Sequence, residues 1–239
     1  IKMSPLMKAM KAAHSVVGNA DTFIPEELEK RRHSEEVISK LATPSVGISF
    51  EKLNIGEIEA QWAFPKHAYP KKPIILYCHG GGFSCGGLGY AGVLSGKLAI
   101  HTGLAVLSYA YRLTPEYPYP AAIEDTMQVW DDLMHLGYGA DDIILAGDSA
   151  GGGLSLALGQ FLRDNDMLLP AGFVLMSPWT DLTASGVSYE ENYTLDPMFG
   201  NTRESMIYSG EYLGGHSPKE PYISPLFGDF SRLPPMLFQ

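Results

Sequence analysis

Cysteine is scarce. Cys78 and Cys85 are the two in 239 residues, too few for a disulfide framework and at no zinc-ligand spacing. They read as small buried thiols in a reducing, cytoplasmic compartment. Basic residues are also few: 17 Lys and Arg against 27 Asp and Glu leave a net charge of −10, which argues against nucleic acid or an anionic membrane as partner. No apolar run approaches the roughly 18 residues needed to span a bilayer. No signal-peptide pattern follows Ile1. His14, His33, His67, His101 and His135 fall into no metal-ligand spacing, and neither H-E-x-x-H nor paired C-x-x-C occurs. A phosphate-cradling loop is excluded too. Leu156 occupies the third glycine position of the run that starts at Gly151 and Gly153, and Gly96-Lys97 leads to Leu98 instead of Ser or Thr. With 45% hydrophobic and 18% charged residues, the chain is an ordinary globular one that can bury a large core.

What is present centres on Asp142–Gly153. The apolar run Ile143-Ile144-Leu145-Ala146 meets Gly147-Asp148-Ser149-Ala150-Gly151, and an Ala- and Leu-rich segment of helical character follows. This is the G-x-S-x-G pattern of a nucleophile elbow, a strained strand-to-helix turn that exposes a serine hydroxyl beside free helix N–H groups. The pattern alone also fits an ordinary crossover with a solvated serine. A second signal separates the two readings. Upstream, the apolar run Ile74–Cys78 leads directly into His79-Gly80-Gly81-Gly82-Phe83. Acyl transfer needs two backbone donors for the oxyanion: one from the residue after the nucleophile, here Ala150, and one from a glycine loop behind an earlier strand, here Gly81 and Gly82.

These motifs, together with Tyr111-Arg112-Leu113-Thr114-Pro115-Glu116, Pro120-Ala121-Ala122, Asp125, Ser177–Thr183 and Leu233-Pro234-Pro235, resemble the hormone-sensitive-lipase family of α/β-hydrolase esterases from about Pro73 onward. The resemblance implies a mostly parallel twisted sheet with helices on both faces and a helical cap. It also implies a serine carboxylesterase that acts on short-acyl esters through an acyl-enzyme with no metal or organic cofactor. A homodimer is compatible with it. Residues 1–45 would supply cap helices over a core of 46–239, and an insertion at about 182–217 would add to cap and pocket.

Along the chain, Met3, Leu6, Met7 and Met10 recur at helical spacing, and Pro25-Glu26-Glu27 marks a helix start. Leu28, Val37, Ile38 and Leu41 then read as an apolar stripe, either packed on the core or belonging to the cap. Val46–Phe64 alternates as a hairpin with its turn at Asn54-Ile55-Gly56. Helices are expected at Tyr90–Thr102 and Ala121–Leu136, the latter with Trp130 and Leu133 inward, and buried strands at Leu104–Tyr109, Gly172–Ser177 and from Leu233. The segment Asp181–Ser217, rich in Tyr, Asn and Met (Tyr189, Asn192, Tyr193, Met198, Phe199, Met206, Tyr208, Tyr212), breaks that rhythm and reads as functional.

The serine needs a histidine base and an acid to orient it, in the chain order Ser, Asp/Glu, His. In the resembled family both follow the strand opened at Leu233, so acid, base, final strand and final helix are expected beyond Gln239. Within the chain, Ser149, Asp196 and His216 satisfy the order formally. Asp181 reads better as a turn residue, Asp196-Pro197 as a turn opener and His216 as a loop residue. His79 reads as a prop for the glycine loop, and Arg112, Glu116 and Asp125 as a buried ion-pair network. A reading of another class, a non-catalytic hydrolase-like module that binds a ligand or partner, would follow if acid and base were truly absent.

Overall fold

The computed structural model describes residues 25–44, 46–67, 73–193, 195 and 210–239. Met3, Leu6, Met7, Met10, Asp196, Met198, Phe199, Met206 and Tyr208 lie outside these residues. Pro25 suits the first turn of a helix, where its missing N–H would have no partner, and α1 runs Pro25–Ala42. The expected stripe on α1 is corrected. Val37, Ile38 and Leu41 are 46%, 54% and 86% exposed. Val37 and Leu41 lie on the side opposite Leu28 and Ile38 at the edge of the packed face, whereas Leu28, Arg32, Glu35 and Ser39 follow the i, i+4, i+7, i+11 spacing of a single face. Ser39 on that face is buried, and α1 packs against the later helix Leu88–Thr102.

Strands β1 (Ile48–Ile55) and β2 (Ile58–Pro65) form the hairpin, in register from Ile48↔Pro65 to Ile55↔Ile58. The turn falls later than expected, because Ile55 is buried and stays in the ladder, while Gly56 takes the positive φ of 60°. Next come β3 (Ile74–Cys78), α2 (Leu88–Thr102), β4 (Val106–Tyr109), α3 (Ala121–His135) and β5 (Ile143–Asp148). The described chain continues through α4 (Ala150–Asp164), β6 (Gly172–Met176), the short α5 (Val187–Glu191) and α6 (Gly210–Leu213), and β7 (Met236–Phe238).

The seven strands lie in the order β1-β2-β4-β3-β5-β6-β7. Only the β1–β2 and β2–β4 pairs are antiparallel. Alternation along β3 divides the core between the two faces. Ile74, Leu76 and Cys78 join Trp130, Leu133, Leu154 and Leu158 of α3 and α4, while Ile75 and Tyr77 join Ala91 and Ala99 of α2. A strand covered on both faces carries no polar alternation, which is why β3 and β5 read as unbroken apolar runs. Both central strands point their C-terminal ends at one rim, and each delivers its motif there: β3 the glycine loop, β5 the serine. Among the described residues no helix is long and apolar enough to cross a membrane.

Candidate active site

Ser149 sits between β5 and α4 with φ 50° and ψ −122°, a conformation that side-chain-bearing residues avoid and that costs about 1–3 kcal/mol. Four backbone bonds hold it there. Its carbonyl accepts from the N–H groups of Gly152 (3.1 Å), Gly153 (3.1 Å) and Trp179 (2.8 Å), and its own N–H donates to Met176 O at 3.0 Å. The flanking glycines are positions of close approach. A Cβ at Gly147 would meet the carbonyl of Gly151, and one at Gly151 would meet those of Cys78 and His79. The Ser149 hydroxyl makes no cap bond to its helix. Ala150, the first helical residue, has no carbonyl one turn earlier to receive its N–H.

The glycine loop starts at His79, which is fully buried. Its imidazole stacks on Tyr111 at 4.2 Å, and the Tyr111 hydroxyl donates to the His79 carbonyl at 2.8 Å. Nδ1 lies 2.7 Å from Gly80 O, which assigns the proton to Nδ1 and fixes that tautomer. Burial pushes the His79 pKa down, so the ring stays neutral. This matches a prop for the loop. Gly81 and Gly82 follow with φ of 115° and 63°. The Gly81 carbonyl is held within the turn by the N–H groups of Ser84 (3.2 Å) and Cys85 (2.9 Å). Among the described residues, the amides of Gly81 and Gly82 donate to no backbone carbonyl.

Asp148, the variable residue before the serine, joins loop and elbow. One carboxylate oxygen accepts the Gly80 N–H at 2.8 Å and the Tyr77 hydroxyl at 2.5 Å; the other accepts the Tyr90 hydroxyl at 2.7 Å. Burial first, then the charge of Asp148, pushes both phenols well above their ordinary range, so both remain donors. A charged acceptor with three donors forms a strong, directional anchor. The sequence pattern places Asp148 in the elbow, Tyr77 in a buried strand and Tyr90 at a helix start, but gives none of the three this role.

Beyond the loop, Phe83 (φ 61°) lies face to face with Tyr212 of α6 at 3.7 Å and tilted toward Trp179 at 6.2 Å. The other candidates fall into structural roles. Asp181 accepts from the N–H and hydroxyl groups of both Thr183 and Ser185. Burial raises its pKa, but these donors outweigh burial and hold it below the usual carboxylate range. His216 faces Glu220 at 3.2 Å and packs edge-on against Tyr119, a loop residue as read from sequence. Asp196, its formal partner in the ordering test, is not among the described residues. The expected Arg112–Glu116–Asp125 network is corrected. Arg112, 41% exposed, pairs with Asp125 (2.8 Å) and Glu124 (3.1 Å), whereas Glu116 binds Arg32 of α1 (2.7 Å). A side chain from an element far upstream claims Glu116, which no local spacing could reveal. Cys78 and Cys85 are free and buried.

A family described by its alpha/beta hydrolase fold matches residues 75–239. An acetyl-hydrolase of Streptomyces hygroscopicus is 36% identical over 217 residues, covering 89% of this chain and 70% of its own length. An esterase of Acinetobacter venetianus is 37% identical over 166 residues, covering 70% of this chain and 55% of its own. The crystal structure of an esterase from the bacterial hormone-sensitive lipase family superposes with a TM-score of 0.89 at 34% identity, covering all of this chain and 79% of that one. These relatives are named as hydrolases and esterases, and nothing among them favours a non-catalytic module. With an elbow serine, a glycine loop at the same rim of the sheet and these matches, the chain belongs to the hormone-sensitive-lipase family of α/β-hydrolase esterases.

Proposed function

We propose that this protein is a serine carboxylesterase in which Ser149 is the nucleophile and the amides of Gly81, Gly82 and Ala150 hold the oxyanion. The observation that carries the reading is the strained Ser149, with the residue before it bonded to the Gly80 amide of the glycine loop. In the reaction, Ser149 Oγ attacks the ester carbonyl carbon while its proton passes to a histidine base, which in this family's order follows β7. Negative charge collects on the former carbonyl oxygen, where backbone N–H groups are worth most because they need no reorganisation. Collapse of the tetrahedral species expels the alcohol, which takes the proton back from the base. Water then repeats the sequence on the acyl-enzyme and releases the acid. The chemistry calls for neither metal nor organic cofactor.

Short-acyl esters are the proposed substrates, in line with the acetyl-hydrolase relative. Residues 1–45 and about 182–217 are proposed as cap and pocket. The stacking of Tyr212 on Phe83 supports this for the second segment. A cytoplasmic location agrees with two free thiols, and a homodimer with the family. The test is fluorophosphonate labelling with p-nitrophenyl acetate hydrolysis in the full-length protein. Label and activity are both expected to vanish in Ser149→Ala, and retention of either in that variant overturns the reading.

A further inference from the structure

The glycine loop is fastened at two points. Its start, at Gly80, is tied to Asp148. Its far end, at Ser84, is tied to α1. Arg32 Nε donates to Ser84 O at 2.7 Å. Nη2 of the same guanidinium donates to Thr114 O at 2.9 Å and to one Glu116 oxygen at 2.9 Å, and Nη1 donates to the other at 2.7 Å. The two carbonyls belong to neighbouring loops, themselves joined by Thr114 N–H to Phe83 O at 2.9 Å. One side chain thus pins three segments that are remote in sequence. The Glu116 pair is half in solvent, and exposed ion pairs contribute little by themselves. Its bidentate geometry instead fixes the plane of the guanidinium, which leaves the remaining N–H groups aimed at the Ser84 and Thr114 carbonyls. An ammonium group has no such fork, so lysine cannot reproduce the set.

From this geometry we propose that Arg32 is a positioning residue for the oxyanion loop, so that α1 belongs to the catalytic apparatus. The proposal rests on the reading that Gly81 and Gly82 hold the oxyanion. Arg32 touches neither substrate nor reacting atoms; it acts by holding Ser84 and with it the pitch of the two amides before it. Since misplacement of a catalytic group by about 1 Å can cost on the order of 100-fold, loosening this end should show in turnover more than in binding.

The experiment compares wild type, Arg32→Met and Arg32→Lys in the full-length protein, with kcat and KM on p-nitrophenyl acetate and thermal unfolding measured for each. Expected is a fall in kcat of about 10- to 100-fold in Arg32→Met, with KM within about threefold and folding retained. Arg32→Lys should lose nearly as much despite keeping the charge, and in a fourth protein, the truncated Arg32→Ala, guanidinium at low concentration should restore part of the turnover where urea does not. A kcat at or near wild type in either variant, a rise in KM alone, or a loss that tracks the unfolded fraction overturns the proposal. Should Arg32→Met fail to fold, Arg32→Lys decides. Ser149→Ala separates the two levels. Its full activity would sink the esterase reading itself, whereas its inactivity alongside normal turnover in the Arg32 variants would sink only the role of Arg32.

Discussion

Asp148 is a small residue-scale device with a large consequence: a carboxylate beside the nucleophile bonded to the amide that begins the glycine loop. Asp148→Asn keeps the size but turns one acceptor into a donor facing donors, so a Tyr77, Tyr90 or Gly80 hydrogen is left unmatched. Turnover of p-nitrophenyl acetate in that variant should fall about 10- to 100-fold, as expected for a catalytic loop displaced by a fraction of an ångström. Steady-state kinetics on folded protein checks this. His79 gives a pH signature. Its pKa in the folded protein lies below the ordinary 6.5, so between those two values the unfolded chain binds the extra proton and folding loses ground as pH drops. Stability should be level with respect to this group above about pH 6.5 and decline below it by up to about 1.4 kcal/mol per pH unit. Urea titrations of wild type and His79→Gln across pH 4–8 should differ by that slope. Ser149, Ala150 and the glycines were legible because strained turns and close approaches admit few residue types. Asp148 was not, since its partners Tyr77 and Tyr90 look like core aromatics until β3 and α2 are set side by side.

At the scale of elements, the glycines distinguish crowding from conformation. Gly151 lets α4 lie against the end of β3, where a methyl group would strike the carbonyls of Cys78 and His79. Gly151→Ala should therefore cost about 3 kcal/mol or prevent folding, as overpacking against immovable backbone does. A Cβ at Gly82 would meet only Ser84 Oγ, at an ordinary contact distance of 3.9 Å, but the residue has a φ of 63°. Gly82→Ala should cost only about 1–2 kcal/mol in stability. Gly82→Pro both forbids that φ and removes the N–H, so it should lower turnover about 100- to 1,000-fold. Denaturant melts and kinetics on the three variants would separate the two effects. Most elements could be read in advance: Trp130 and Leu133 face inward on α3 as their spacing predicts, and both are buried. The apolar stripe of α1 could not be read, because this helix is clamped through Arg32, buries Ser39 and leaves Val37, Ile38 and Leu41 about half or more exposed. A helix held by a guanidinium clamp inverts the usual inference from hydrophobic periodicity.

Over the whole molecule, the alternation of apolar runs with helical segments was enough to imply a largely parallel sheet, but the strand order, with β4 between β2 and β3, follows from packing that no single window contains. The same holds for a contact between the glycine loop and a distant segment. Phe83, at the end of the glycine loop, and Tyr212, well over a hundred residues later, lie almost parallel (7°) with ring centres 3.7 Å apart, and both are buried. This pair is a direct link between the loop and the segment proposed as pocket, and it should behave as a coupled unit. In a double-mutant cycle with Phe83→Leu and Tyr212→Leu, the losses of stability should fall short of additivity by about 0.5–1.5 kcal/mol, the range measured for aromatic pairs beyond their buried area. If Tyr212 also steadies the loop from the insertion side, each single variant should lower kcat on p-nitrophenyl acetate, and the second substitution should add little to the first. Fully additive effects on both stability and turnover would mean that the rings merely share a core, and that the insertion meets the loop without influencing it.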